Sequence, residues 1–204
     1  METFLRSMAK ERIMKTIGIG GGIGSGKSVV SRILRLRGHD VYDCDLEAKR
    51  IMDESKDVLL ALHERFGDEV CPPEGPIDRS ALARHVFGSD EHRLWLNALV
   101  HRLVREDIIF WRDSLEESGV DVCYVESAIL FTSGLTGMCD EILVVTSPEE
   151  ERIARVQKRD NSDRQNIIKR IRSQQEEERL ILEAGIPVSF IDNSNDSSLL
   201  ATKI

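Results

Sequence analysis

Short apolar runs alternate along the chain with longer segments in which apolar residues recur at helical spacing. The short runs predict five strands, which lie at 15–20, 40–42, 120–125, 141–145 and 188–191. The periodic segments predict helices at 27–37, 46–55, 58–66, 79–87, 91–117, 149–159 and 164–183. Strands that alternate with helices usually pair in parallel, because each crossover returns the chain to the same end of the sheet. The pattern therefore predicts an α/β fold with a five-stranded parallel sheet.

The long helical stretch between the second and third strands indicates a division of the chain. Residues 56–118 contain no predicted strand and are expected to leave the sheet as a helical substrate subdomain. The core would then comprise 15–55 and 119–204, with a helical lid at about 152–175. Residues 1–14 are mixed and charged, and they lack the apolar centre of a signal peptide. They are therefore predicted to form a flexible N-terminal extension.

Composition and charge limit the partners. The 204 residues carry a net charge of −8 and are 41% hydrophobic, which is ordinary for a globular protein. The acidic balance argues against nucleic acid or an anionic membrane as a partner. No apolar run approaches the ~20 residues that span a bilayer. The widely separated cysteines predict reduced thiols in a cytoplasmic protein. They are Cys44, Cys71, Cys123 and Cys139.

A glycine-rich loop joins the first predicted strand to the first helix. It runs from Gly21 to Ser28 as GGIGSGKS and has the pattern Gly-x-x-x-x-Gly-Lys-Ser. Glycines let backbone N–H groups converge on a phosphate, and the following helix adds its N-terminal dipole. Lys27 would reach the β- and γ-phosphates of ATP, and Ser28 would offer its hydroxyl to Mg²⁺. The candidate nucleotide-binding residues are Gly22, Ile23, Gly24, Ser25, Gly26, Lys27, Ser28 and Val29.

Other motifs narrow the class of nucleotide-binding protein. The glycines do not fall at the Gly-x-Gly-x-x-Gly spacing of dinucleotide-binding proteins. The sequence contains neither the Asn-Lys-x-Asp and Asp-x-x-Gly motifs of regulatory GTPases nor the Leu-Ser-Gly-Gly-Gln of transporter ATPases. A small-molecule kinase of the P-loop type remains. A nucleotide-binding regulator without phosphotransfer is the alternative from another class.

Two carboxylate positions fit the roles that a kinase needs. Asp43 and Asp45 follow the second strand, at the edge of a parallel sheet where ligands bind, and one of them is expected to meet the acceptor hydroxyl. Asp45 could instead cap a helix beginning at Leu46. Glu126 closes the apolar run 120–125 and is a candidate ligand of Mg²⁺, directly or through water. It could also be a simple polar strand end.

A basic segment corresponds to the predicted lid. Residues 152–172 contain eight lysines and arginines against two aspartates. Arg152, Arg155 and Arg159 share a helix face, and a polar break follows them at 160–163. Some of these cations are expected to form a solvated helix surface. Arg155 and Arg159 are the first candidates to bind the phosphates of ATP and to neutralise charge during transfer.

Most of the chain, taken with these motifs, resembles the dephospho-coenzyme A kinase family. The matching segments are TIGIGGGIGSGKSVVS at 16–31, GHDVYDCD at 38–45, Asp78-Arg79 with Leu82 and Val86-Phe87, Leu96-Asn97 through His101, 155–160, 170–174, and Ile191 with Asn193. The resemblance implies transfer of the ATP γ-phosphate to the 3′-hydroxyl of dephospho-coenzyme A. Both substrates would be small molecules, and the oligomeric state is left open.

The resemblance also implies roles for individual residues. Asp45 corresponds to the catalytic aspartate that activates the acceptor hydroxyl, and Gly24–Val29 would hold ATP with Mg²⁺. Arg155 would be a lid arginine acting on the phosphates. His101 would lie in the substrate subdomain near the coenzyme A arm.

Some positions depart from the family pattern. Residues 128–132 read AILFT where the family usually has Pro-Leu-Leu-Phe-Glu, and His101 is followed by Arg102 instead of proline. The last helix, ending at Ile204, is short. Since none of these positions touches the phosphate loop or Asp45, they bear on the acceptor site more than on the reaction. The alternative within enzymes is another P-loop nucleotide or nucleoside kinase, which would need more arginines around a phosphorylated acceptor.

Overall fold

The computed structural model describes residues 14–194 and 200–203. Of the predicted extension 1–14, only Met14 is described, and its side chain is buried. The strands are β1 (Lys15–Gly20), β2 (Asp40–Asp43), β3 (Val122–Glu126), β4 (Glu141–Thr146) and β5 (Val188–Asp192). They form one sheet in the order β2-β3-β1-β4-β5, and every pairing is parallel. The predicted α/β fold with a five-stranded parallel sheet is confirmed.

Helices connect these strands. They are α1 (Lys27–Leu36), α2 (Cys44–Glu54), α3 (Lys56–Phe66), α4 (Arg79–Gly88), α5 (Asp90–Glu117), α6 (Glu149–Asp160), α7 (Arg164–Ser173), α8 (Gln175–Ile181) and α9 (Leu200–Lys203). Short 3₁₀ turns lie at Gly67–Glu69 and Leu135–Met138. Within the described ranges, no helix is long and apolar enough to cross a membrane.

The single helix predicted over 164–183 is wrong. Helix α7 ends at Ser173 and α8 begins at Gln175. Between them, Gln174 has φ −99° and ψ 6°, and its side-chain oxygen accepts a hydrogen bond from the backbone N–H of Ile23 at 2.7 Å. Apolar spacing could not reveal this break, because the residues on both sides of it keep a helical period.

The chain divides into two compact units. The first comprises the described residues up to Asp43 and from Arg112 onward, and it contains the sheet. The second is Cys44–Trp111 and is helical. It begins earlier than the substrate subdomain predicted at 56–118, because α2 packs on α3 and its Arg50 binds Asp107 of α5 through two hydrogen bonds of 2.9 and 3.0 Å.

Two apolar clusters stabilise the first unit. One fixes α1 and α9 against the strands and consists of Ile19, Val30, Leu34, Val145, Ile191 and Leu200. The other consists of Ile23, Ile153, Val156, Ile167 and Ile171. The second cluster packs α6 and α7 against Ile23 of the loop that follows β1. Consequently the predicted lid helices and the phosphate loop share part of the core.

Candidate active site

The loop between β1 and α1 has the backbone shape that the glycine pattern predicts. Gly24 and Gly26 have φ angles of 77° and 105°, in the left-handed region that side chains with a Cβ avoid. A Cβ on Gly24 would also lie 2.5 Å from the carbonyl oxygen of Arg152. Helix α1 begins directly after Gly26, so its first N–H groups and its dipole face the end of the loop. Such a loop is a ready anion site.

The lysine of the loop is already oriented by the backbone. Lys27 Nζ donates hydrogen bonds to the carbonyl oxygens of Gly21 at 2.6 Å and Gly22 at 3.4 Å. Ser28 and Val29 lie exposed in the first turn of α1. The hydroxyl of Ser28 is therefore accessible to a ligand, and the lysine is held across the loop.

An asparagine after β5, to which the sequence analysis assigned no role, supports the loop. Asn193 is 2% exposed, and its Nδ2 donates to the carbonyl oxygen of Ser25 at 2.7 Å. A Cβ on Gly26 would overlap this amide nitrogen, so the close approach requires glycine. A lone Asn after a strand gives no signal of this contact in the sequence apart from the family resemblance.

The lid arginines occupy different surroundings. Arg155 donates to the backbone oxygen of Asn193 at 2.7 Å and to Ser147 Oγ at 3.0 Å, and it forms an ion pair with Glu151 at 2.8 Å. It also approaches the carbonyl oxygens of Gly24 and Ser25 at 3.5 Å. Arg155 therefore lies against the phosphate loop.

Arg159, one turn further along α6, lies outside that group of contacts. Its guanidinium forms two hydrogen bonds with Asp160, at 2.6 and 2.9 Å, and its side chain is 59% exposed. This ion pair raises the pKa of Arg159 and lowers the pKa of Asp160. These contacts do not test the predicted binding of Arg159 to ATP, which stays a prediction.

Sequence reasoning missed a second arginine of the same helix face. Arg152 is 9% exposed, and its Nε donates to the carbonyl oxygen of Ile23 at 2.9 Å. Its spacing with Arg155 and Arg159 marked the correct face, but exposure along a charged helix cannot be read from spacing. The buried member of the three is the one that reaches the loop tip.

Glu126 lies at the carboxyl end of β3, beside β1. The register pairs it with Asp43 of β2 and with Ile19 of β1, and its side chain is buried. Among the described residues, its Oε2 atom has no hydrogen-bond partner. Burial raises the pKa of Glu126, and the charge of Asp43 raises it further, while Ser31, Lys27 and Arg35 lower it. A buried carboxylate oxygen without a partner suits a cation.

Asp45 lies two residues beyond the end of β2, in the first turn of α2, and is exposed. Because α2 begins at Cys44, Asp45 is inside the helix and does not precede a helix starting at Leu46. An acidic residue in this turn is favoured by the helix dipole. It belongs to the second unit, whereas Asp43 belongs to the first.

His101 lies in α5 within the second unit. Burial lowers the pKa of His101, and the neighbouring charge of Arg105 lowers it further. The neutral form of the imidazole is therefore favoured over the charged form. A neutral ring is suited to hydrogen bonding with a substrate more than to charge pairing with a phosphate.

Thr132, where the chain departs from the family pattern, is bound by a buried carboxylate. Glu177 of α8 is 9% exposed and accepts hydrogen bonds from the N–H groups of Phe131 and Thr132 at 3.0 and 2.7 Å. The hydroxyl of Thr132 also donates to Glu177. The segment after β3 is thus anchored to α8 by a carboxylate that comes from the helix.

The motif Gly-x-x-x-x-Gly-Lys-Ser lies between β1 and α1 of a parallel sheet, and a carboxylate ends the adjacent strand. These features define a P-loop protein of the kinase type. A sequence model of the family described as dephospho-CoA kinase matches residues 15–198. The chain therefore belongs to the dephospho-CoA kinase family.

Individual proteins agree with this assignment. A dephospho-CoA kinase of Porphyromonas gingivalis is 42% identical over 82% of this chain and 81% of its own length. A solved structure from Thermus thermophilus is 34% identical, covers 93% of both chains and superimposes with a TM-score of 0.75. The structure of dephospho-CoA kinase from Campylobacter jejuni, at 22% identity and a TM-score of 0.68 over 94% of both chains, shows the same fold.

Proposed function

We propose that this protein transfers the γ-phosphate of ATP to the 3′-hydroxyl of dephospho-CoA, giving CoA and ADP. The observation that carries the proposal is the phosphate loop in a chain that belongs to the dephospho-CoA kinase family. The reaction is an in-line displacement, so the protein must hold the donor, position the acceptor and stabilise negative charge on the transferred group.

The phosphate loop and Lys27 hold the donor. Residues Gly22–Val29 would surround the phosphates, although the N–H of Ile23 is taken by Gln174 and those of Ser25 and Val29 bond within the loop. The first turn of α1 adds its dipole. In the structure, Lys27 Nζ binds the carbonyl oxygens of Gly21 and Gly22. It would exchange these for the β- and γ-phosphate oxygens, and its orientation across the loop favours that exchange.

Ser28 and Glu126 would hold Mg²⁺ with the phosphates. The residues fit: one hydroxyl is exposed at the loop, and one buried carboxylate oxygen at the end of β3 has no partner among the described residues. The described residues contain no group of three or more acidic, histidine or cysteine side chains that could bind a metal alone. Mg²⁺ usually takes few protein ligands and several from phosphate and water. When bound, it would supply positive charge to the phosphate oxygens.

Asp45 is the proposed catalytic residue for the acceptor. Its carboxylate would accept the proton of the 3′-hydroxyl and orient that oxygen toward the γ-phosphorus. The exposure of Asp45 at the start of α2 leaves its carboxylate accessible to a substrate. The neutral imidazole of His101 would provide a hydrogen bond to the coenzyme A arm.

Arg155 and Arg159 would stabilise the transferred phosphoryl group. Arg155 already lies against the carbonyl oxygens of the loop. Arg159 would have to exchange its ion pair with Asp160 for the phosphates. Closing of the lid would exclude water, which otherwise would hydrolyse ATP without transfer.

The four cysteines are consistent with a cytosolic location. All four are buried, and none forms a disulfide with another. Burial raises the pKa of Cys139 to about 12, so this thiol stays protonated and unreactive. The chain therefore has no structural need for an oxidising compartment.

Incubation with ATP, Mg²⁺ and a panel of acceptors tests the proposal. ADP release should require dephospho-CoA and should be absent with nucleosides, nucleoside monophosphates and shikimate. Release with a nucleoside monophosphate but not with dephospho-CoA would instead assign the chain to the nucleotide kinases. Binding of ATP without transfer to any acceptor would favour a nucleotide-binding regulator.

A further inference from the structure

Ile23, near the tip of the phosphate loop, is bound on both sides by residues from outside the loop. Its backbone N–H donates to Gln174 Oε1 at 2.7 Å, and its carbonyl oxygen accepts from Arg152 Nε at 2.9 Å. Its side chain is buried among apolar residues of α6 and α7. The peptide groups before and after Ile23 are therefore both fixed by the lid helices.

Burial of Arg152 in these contacts is energetically unfavourable. Arg152 is 9% exposed, and its Nη1 forms an ion pair with Glu178 at 3.0 Å. Among the described residues its Nη2 has no hydrogen-bond partner, although it is buried. A buried guanidinium loses hydration, and its unsatisfied N–H is not compensated by a hydrogen bond. The presence of Arg152 is therefore better explained by the loop backbone that its guanidinium binds than by a contribution to folding.

Glycine at position 22 belongs to the same arrangement. A Cβ on Gly22 would overlap the Nη2 and Cζ atoms of Arg152. The absence of a side chain on Gly22 lets the guanidinium lie directly on the loop backbone and reach the oxygen of Ile23. Gly22 and Arg152 thus fit each other sterically.

Helix α8 connects the two contacts. Gln174 and Glu178 are four residues apart across the start of α8, so they face the same side. One binds the N–H of Ile23, and the other binds the arginine that holds its carbonyl oxygen. The break between α7 and α8 falls at Gln174, where a continuous helix would have directed the side chain differently.

We infer that Arg152 and Gln174 are positioning residues that fix the peptide groups around Ile23, so that the loop presents its N–H groups to phosphate without rearrangement. A binding site that is already ordered loses less entropy when its ligand arrives, and its dipoles need no reorganisation during transfer. This inference rests on the proposed binding of ATP by the loop, but it does not depend on which acceptor is used.

Titration calorimetry with ATP and Mg²⁺ tests the role of Gln174. Gln174→Met keeps the volume but removes the acceptor, and ATP affinity should fall by about 5- to 50-fold. Gln174→Glu keeps an oxygen acceptor but adds a negative charge near the phosphates, so its affinity should also fall, and the uncharged Gln174→Met variant carries the test. Gln175→Met is the matched control, since Gln175 is exposed on the adjacent position, and it should bind ATP normally.

Arg152 is tested with two variants. Arg152→Lys keeps the charge but cannot bind Ile23 and Glu178 together, and ATP affinity should fall by about 3- to 30-fold. Arg152→Met removes the donor to the Ile23 carbonyl oxygen and should weaken ATP binding, and melting curves measured in parallel establish that the variant is folded. Arg179→Met, which removes an exposed arginine of α8, is the control. Since both residues act on one segment, the double variant Arg152→Met, Gln174→Met should lose less affinity than the sum of the two.

The opposite results are clearly distinguishable. Folded Gln174→Met and Arg152→Lys proteins that bind ATP as tightly as the natural protein would overturn the inference. If the natural protein binds ATP but does not phosphorylate dephospho-CoA, the proposed function fails, and the positioning inference still stands on the calorimetry.

Discussion

At the scale of single residues, Glu126 is placed where stability and function conflict. It is buried at the end of β3, its Oε2 has no partner among the described residues, and burial raises its pKa. A carboxylate in this position destabilises the fold, because the hydration lost by its charged form outweighs the interactions with Ser31, Lys27 and Arg35. Residues that conflict with folding in this way are often functional.

Replacement of Glu126 by Gln should therefore stabilise the protein without ligands at neutral pH and weaken its binding of Mg²⁺. The folded pKa is raised above that of the unfolded chain, so the cost of the natural carboxylate is fully present above the folded pKa and disappears as pH falls below the unfolded value. The difference in Tm between the variant and the natural protein should thus be largest near pH 7 and should shrink in acid. Melting curves across this pH range measure it, with exposed Glu116→Gln as the control. A lower Tm for Glu126→Gln at pH 7 would contradict the account.

Replacement of Asp45 by Asn tests the proposed base. The amide can still orient a hydroxyl but cannot accept its proton, so kcat should fall by roughly 10²–10⁴-fold. ATP affinity should stay nearly unchanged, because Asp45 is not part of the phosphate loop. The matched control is Asp57→Asn, since Asp57 is also exposed in the first turn of a helix, α3. Full turnover by Asp45→Asn would exclude the catalytic role.

At the scale of elements, the phosphate loop depends on its surroundings as much as on its own sequence. Asn193 from the segment after β5, Gln174 from the α7–α8 junction and Arg152 from α6 all bind loop backbone groups. The loop thus has its shape defined by three separate elements. A Cβ at Gly22 or Gly24 would overlap Arg152, and a Cβ at Gly26 would overlap Asn193, so these supports themselves require glycine.

Gly24→Ala should damage this loop strongly. Alanine at φ 77° costs about 1–3 kcal/mol, and its Cβ would lie 2.5 Å from the backbone oxygen of Arg152, which cannot move independently of α6. The loop should relieve this strain by changing its shape, and ATP affinity should then fall by about tenfold or more. Gly88→Ala is the control, because a Cβ there meets nothing within 4 Å. Measurement of ATP binding by calorimetry distinguishes the two, and equal affinity would contradict the description of the loop.

At the scale of the whole molecule, the sequence predicted the strands and the phosphate loop well, but it did not predict the contacts that support the loop. The strands were recoverable because five short apolar runs are separated by clear helical periods, and the loop was recoverable because its motif has a fixed spacing. The break at Gln174 and the burial of Arg152 were not recoverable, because both depend on contacts with Ile23, about 130 to 150 residues away in the chain. The extent of the helical unit also differed, since the Arg50–Asp107 contact joins α2 to α5 across a long sequence separation.

The most direct test of the central claim is the position of the new phosphate. The protein should be incubated with ATP, Mg²⁺ and dephospho-CoA, and the product analysed by phosphorus NMR and mass spectrometry. One phosphate should be added, on the 3′-hydroxyl of the ribose, together with one ADP for each product molecule. A product phosphorylated elsewhere, or ADP formed without phosphorylation of dephospho-CoA, would contradict the proposed reaction.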